Sequence, residues 1–180
     1  DPTLYGKVPF TPFEKQAAIS ISTNFFGTLS VTEAMLPHLR RSSSPRIINI
    51  ASAAGRLSIL KSQALVEQFT SPNLQLDDLK SLLNEFVRDV ESGVHAEKGW
   101  PNTCYGMSKL GIIAMTNILA REEPSMMINC VDPGFCSTDQ NDNYGGARPA
   151  ELGARTPALL SKISKKVSGK YFFDGNEIQW

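Results

Sequence analysis

Tyr105 and Lys109 stand four residues apart, a spacing that on a helix puts both side chains on one face, about 6 Å apart along the axis. A nearby ammonium favours the ionised form of a phenol, so its proton is given up more easily. A tyrosine left to itself, with a pKa of about 10, is a poor acid–base group at neutral pH. Together the two residues can exchange a proton with an oxygen whose charge changes during a reaction. Three further pieces accompany them. Ser52 closes Asn49-Ile50-Ala51-Ser52, Asn24 sits in Thr23-Asn24-Phe25-Phe26-Gly27-Thr28, and Asp132-Pro133-Gly134-Phe135 runs on to Thr138. Each has a plainer reading. Tyr and Lys can share an exposed helix face, Ser is common after strands, Asn can bridge to a backbone, and Pro-Gly by itself is a turn.

The elements that carry these residues are legible from periodicity and punctuation. Thr11-Pro12-Phe13-Glu14 predicts a helix start, with Thr as N-cap, Pro at the first helical position and Glu closing a capping box. Phe13, Ala17, Ile21, Phe25 and Leu29 then recur every fourth residue as one buried stripe. It continues through Met35, Leu36 and Leu39, with Pro37 an irregularity near the end. Asn24 lies inside this helix, where Asn is a poor helix former. Arg46–Ile50 reads as a strand apolar on both faces, as covered parallel strands are.

Residues 57–100 read as a helical insertion. A short helix is expected around Lys61–Phe69, and a longer one through Leu76, Leu79, Leu83, Phe86, Val87 and Val90, with Gly93 as its C-cap glycine. After Gly99-Trp100-Pro101 a second long helix begins, carrying Tyr105 and Lys109 and ending at Glu122-Glu123-Pro124. Met126–Val131 is a second buried strand, closed by Asp132-Pro133-Gly134. Pro149 and Glu151 open another helix expected to end before Ser168-Gly169, and Lys170–Phe173 is a last strand before a turn at Asp174-Gly175. Helices alternating with strands argue an α/β fold with parallel strands.

The order and surroundings of Asn24, Ser52, Tyr105-Gly106-Met107-Ser108-Lys109 and Asp132-Pro133-Gly134 resemble the short-chain dehydrogenase/reductase family, most closely its monomeric carbonyl reductases. The resemblance implies the C-terminal part of a Rossmann-type doubly wound parallel sheet with a helical insertion. It implies a reaction in which hydride from NADPH reaches a ketone, aldehyde or quinone carbonyl, with Tyr105 as proton donor. Ser52 would bond to the substrate oxygen, Lys109 would stabilise the phenolate, and Asn24 would hold a water that passes protons to Lys109. Where the family usually shows two serines this chain has Ala51-Ser52, so the functional one is retained. For the cofactor the resemblance implies Tyr105, Lys109, Pro133, Gly134, Phe135 and Thr138, with the nicotinamide carboxamide on backbone groups and its ribose on Lys109. For the substrate it implies Ser52, Tyr105 and Gln16, with Tyr5 and Lys7 bordering a substrate or glutathione pocket. The insertion, Gly93-Val94-His95, Gly99-Trp100-Pro101 and the closing Gln179-Trp180 resemble the same subgroup, whose insertion covers the surface others use to form tetramers. A monomer is the expectation.

Only two or three strands can be counted, whereas a doubly wound sheet normally has five or more and carries phosphate-binding glycines in its first βα turn. Neither Gly-x-Gly-x-x-Gly nor Gly-x-x-x-Gly-x-Gly occurs among the 13 glycines, and residue 1 is Asp. Residues 1–180 are therefore expected to be a single incomplete domain, the C-terminal part of a longer protein. Two functions compete on this reading: a carbonyl reductase, or a catalytically silent binding or regulatory module. A serine hydrolase fits poorly, because no Gly-x-Ser-x-Gly surrounds Ser52. Lys+Arg and Asp+Glu balance at 18 each, which argues against a nucleic-acid partner. No apolar run reaches the roughly 18 residues of a membrane span, and no signal-peptide pattern opens the chain. Cys104, Cys130 and Cys136 form no Cys-x-x-Cys, and only His38 and His95 accompany them, so no disulfide framework and no metal site is expected. Cys104, next to Tyr105, reads either as a reactive thiol or as a small buried side chain. A cytoplasmic protein fits these observations.

Overall fold

The long helix α5 (Cys104–Glu122) is the element around which the others are arranged. Its Leu110, Ile112, Ile113, Met115 and Ile118 are all buried and point in several directions around the axis, as they must on a helix covered along most of its length. Thr103 caps it, the hydroxyl accepting from the Gly106 amide at 2.9 Å. The computed structural model describes residues 11–180, so Tyr5 and Lys7 lie outside the described residues. Among the described residues no helix is long and apolar enough to cross a membrane.

One face of α5 packs on the sheet. Strands β1 (Arg46–Ile50), β2 (Met127–Asp132) and β3 (Tyr171–Phe173) are parallel, and β4 (Asn176–Ile178) returns antiparallel on β3, in the order β1-β2-β3-β4. Ile50 faces Val131 in the register of β1 and β2. The sheet has four strands where the sequence allowed two or three. β4 escapes notice because it is three residues long and mostly exposed, yet Asp174 and Gly175, both at positive φ, form the two-residue turn that brings it back. β1 stands at the sheet edge and is only half covered, with Ile50 45% exposed, so it is not the doubly buried strand its composition suggested.

The opposite face of α5 meets α1 (Phe13–Ser20), the following turn and α4 (Leu76–Glu91). Here the expected continuous helix is interrupted. Ile21–Phe26 is a π-helical turn, in which the Gly27 amide reaches back to the Ser22 carbonyl, before α2 (Gly27–Leu39) resumes the α form with Pro37 inside it. A four-residue repeat drifts by about 40° per step on an α-helix of 3.6 residues per turn. The wider turn takes up that drift and keeps Ala17, Ile21, Phe25 and Leu29 all buried. The expected cap also shifts: Pro12 is the cap residue of α1, so the Thr11 hydroxyl lies too far upstream to meet the first amides and no capping box closes with Glu14.

Within residues 57–100 lie α3 (Gln63–Thr70), capped by Ser62, and α4, closed by Gly93 at φ +74. Gln75 and Asp78 cap the start of α4 reciprocally. Helix α6 (Ala150–Lys162) ends well before Ser168. The reason is β2: Ser168 Oγ accepts from the Ile128 amide and the Asn129 side chain bonds to Val167 O and Lys170 N, holding this segment extended along the strand.

Candidate functional site

The ends of β1 and β2 lie side by side, their last ladder bond running from Ala51 N to Val131 O at 2.7 Å. Beyond it the two chains part. The β1 chain enters a 3₁₀ turn (Ala53–Gly55) in which Ser52 Oγ accepts from Ala54 N at 3.2 Å. That turn is pressed onto the first turns of α5. A Cβ on Gly55 would lie 2.5 Å from the Lys109 carbonyl carbon, and one on Gly106 would lie 2.6 Å from Ala54 O, so glycine at both points permits the approach. Trp180 Nε1 donates to Gly55 O at 3.2 Å and holds the turn from outside.

This contact brings Ser52, Tyr105 and Lys109 to one cleft of about 800 Å³, whose far wall is Pro133, Gly134, Phe135 and Thr138. Tyr105 is 39% exposed there. Lys109 Nζ lies 5.7 Å from the centre of the Tyr105 ring and donates to Ile50 O, at the end of β1, at 2.8 Å. Burial pushes the Lys109 ammonium below its ordinary pKa. Gly134 has φ +76, and its side-chain position is taken by the Arg148 guanidinium. Phe135, 62% exposed, lies near Tyr144 with ring centres 5.9 Å apart. Thr138 N donates to Asn141 Oδ1 at 3.1 Å.

Asn24 is not among the residues lining this cleft. Its amide donates to Ser108 Oγ at 3.0 Å, and Ser108 donates to Tyr105 O at 2.7 Å, so Asn24 reaches Tyr105 through a buried hydroxyl. The π turn carries Asn24. Gln16 is not a cleft residue either; on α1 its amide donates to Thr11 O at 2.6 Å. Cys104 is buried, and burial pushes its thiol up to about 11, which makes it a packing residue rather than a reactive one.

Two participants had no individual signal in the sequence. Ser108 could have been noticed as a polar residue on the buried side of α5. Asp132, 6% exposed, accepts from Ala53 N through Oδ2 at 3.0 Å and from Gly134 N through Oδ1 at 2.8 Å. Among the described residues no group of three or more His, Cys, Asp or Glu gathers as a metal site would.

The family model described as short chain dehydrogenase matches residues 6–64, which include Asn24 and Ser52. Carbonyl reductase (NADPH) 1 of Bos taurus is 33% identical over 180 residues, covering 94% of this chain and 64% of the bovine protein. The chain belongs to the short-chain dehydrogenase/reductase family. Carbonyl reductase (NADPH) 3 of Rattus norvegicus is 36% identical over 160 residues, covering 85% of this chain and 57% of the rat protein. Among solved structures of the family, salutaridine reductase from Papaver somniferum superposes with a TM-score of 0.82 at 30% identity, over 89% of this chain and 55% of that one. The chain thus spans less than two thirds of the length of these reductases. The sheet is of the Rossmann type they share.

Proposed function

We propose that the protein is an NADPH-dependent carbonyl reductase in which Tyr105 supplies the proton. The observation that carries this reading is the Lys109 ammonium over the Tyr105 ring, in a cleft shared with Ser52 and the Pro133-Gly134 turn at the C-terminal ends of β1 and β2. Open α/β sheets take their ligands at that edge.

The residues present fit the nicotinamide end of the cofactor. Lys109 uses one of its three donors on Ile50 O, leaving two for a ribose, and Gly134 lets the turn take φ +76 at the cleft wall. Pro133, Phe135 and Thr138 complete that wall. NADPH, when bound there, supplies the hydride. A carbonyl oxygen gaining charge then meets two donors, the Tyr105 phenol and the Ser52 hydroxyl, one transferring its proton and the other stabilising the oxyanion. The ammonium of Lys109 stabilises the negative charge left on Tyr105. Asn24 is a positioning residue, acting on the Tyr105 backbone through Ser108. Ile50, Ala51, Ala53, Ala54, Ala154 and Pro157 give the cleft a largely apolar lining beside the polar Asp132, Gln140 and Asn141, which suits hydrophobic ketones, aldehydes or quinones.

The names of the similar proteins support the NADPH preference and the carbonyl chemistry. The gathering of Ser52, Tyr105 and Lys109 about one cleft favours catalysis over a silent module. The reading extends to a cytoplasmic monomer, which light scattering of the purified protein checks. The decisive test is Tyr105→Phe. Turnover of menadione, a quinone probe, should fall at least about 100-fold while NADPH affinity changes little. Unaltered turnover would end the assignment.

A further inference from the structure

We propose that Asp132 is a positioning residue that locks the Ser52 turn to the Pro133-Gly134 turn, and so sets the distance between the substrate-oxygen donor and the nicotinamide wall. The proposal rests on the reading of the cleft as a carbonyl-reducing site.

The backbone cannot make this connection. After Ala51 N meets Val131 O the strands diverge, and Pro133 has no N–H to continue the ladder. Asp132 bridges the gap with both oxygens. Its bond to Gly134 N is local, an Asx turn of the ordinary kind. The bond from Ala53 N is different, because Ala53 is 79 residues away and adjoins Ser52. One carboxylate thus satisfies one amide on each of the two turns that face each other across the cleft.

The chemistry requires a carboxylate. An asparagine can accept from one of these amides, but its NH₂ then faces the other, donor against donor. An alanine leaves both amides without a partner at a site where Asp132 is 6% exposed, and unpaired buried donors are costly. A small movement is enough to matter, since hydride and proton transfer depend on donor positions held to well under an ångström.

The test is a double-mutant cycle between Asp132→Asn and Ser52→Ala, read as kcat/KM for menadione with NADPH in excess. Tyr105→Phe is run beside it, and unfolding of each variant is followed by urea. Asp132→Asn is expected to lower kcat/KM about 10- to 100-fold in the otherwise unaltered protein. In the Ser52→Ala background the same change should cost less than about 3-fold, since the residue it positions is gone. A merely structural role would give equal losses in both backgrounds, and that result, or no loss in either, overturns the proposal. Should Asp132→Asn fail to fold, amide hydrogen exchange of the unaltered protein decides. Ala53 and Gly134 should be protected together, and exchange of either at open-loop rates overturns the lock. Turnover that survives Tyr105→Phe removes the carbonyl-reductase reading and this role with it. Turnover lost in Tyr105→Phe with an additive Asp132–Ser52 cycle removes only the role of Asp132.

Discussion

The Gly55 Cα rests directly against the Lys109 backbone, so closely that a Cβ at Gly55 would lie 2.5 Å from the Lys109 carbonyl carbon and from the Leu110 amide nitrogen. No flexible side-chain end is involved; both surfaces are backbone. That contact is what seats the Ser52 turn on the helix bearing Tyr105.

Gly55→Ala should therefore separate the two. The helix backbone cannot give way, so the turn must move, at a cost of about 1–3 kcal/mol in stability. Turnover should fall further than the folded fraction does. Gly145→Ala is the control, since a Cβ there meets nothing within 4 Å, and it should change stability by less than about 0.5 kcal/mol. Urea unfolding beside steady-state rates checks both.

Asn24, Ser108 and Tyr105 form one hydrogen-bonded chain across 84 residues of sequence. Ser108→Ala leaves the Asn24 amide without its partner and should cost about 1–3 kcal/mol. Adding Asn24→Ala should cost little more, because the interaction is already broken. Fully additive losses in urea unfolding would show that the chain is not a unit.

Lys109 carries a pH prediction. Burial lowers its pKa in the folded protein below the ordinary 10.5, so its proton leaves at a lower pH than in the unfolded chain. Between the two values the unfolded state binds more protons, and this group's contribution to stability rises with pH. Activity moves the other way. The charge over Tyr105 is lost, and kcat/KM should decline on the alkaline side beginning below 10.5. Lys109→Arg, whose guanidinium stays charged, should lessen that decline whatever it does to the plateau.

Asp89 anchors the segment that leads into α5. Its carboxylate accepts from Lys98 Nζ at 2.7 Å and from Trp100 Nε1 at 2.8 Å. Burial pushes the carboxyl up, but the bonds from Lys98 and Trp100 outweigh it, and the pKa lies below the ordinary 3.8. The sign follows: the stabilisation is complete above the unfolded value and is lost as pH falls through the lower folded one. Asp89→Asn should lower Tm by about 2–6 °C at pH 7, and by progressively less as pH falls below the unfolded value of 3.8. Trp100 fluorescence provides the readout.

Much of the framework was legible in the residues. The bounds of β1, the span of α4 with Gly93 closing it, and the start of α5 after Pro101 all rest on signals a few residues long. The site was half legible. Tyr105 with Lys109 is a helical spacing, while Ser52 and Pro133-Gly134 were marked by the strands they follow. Gln16 and Asn24 were assigned to the site on resemblance, yet neither lines the cleft, because helix direction decides where such residues point.

Periodicity, caps and turn residues act over one to five positions, so the sequence alone determined the main helices, the first three strands and which side of α5 carries the phenol and the ammonium. Tertiary structure decided the rest. The π turn exists because four buried residues must share a face against α5, and β4 exists because β3 is there to pair with it. Asp132 reads as an ordinary turn residue until β1 and β2 align and bring Ala53 to its second oxygen. Such contacts depend on which strands pair and how closely backbones approach, and neither is written in any short stretch of the chain.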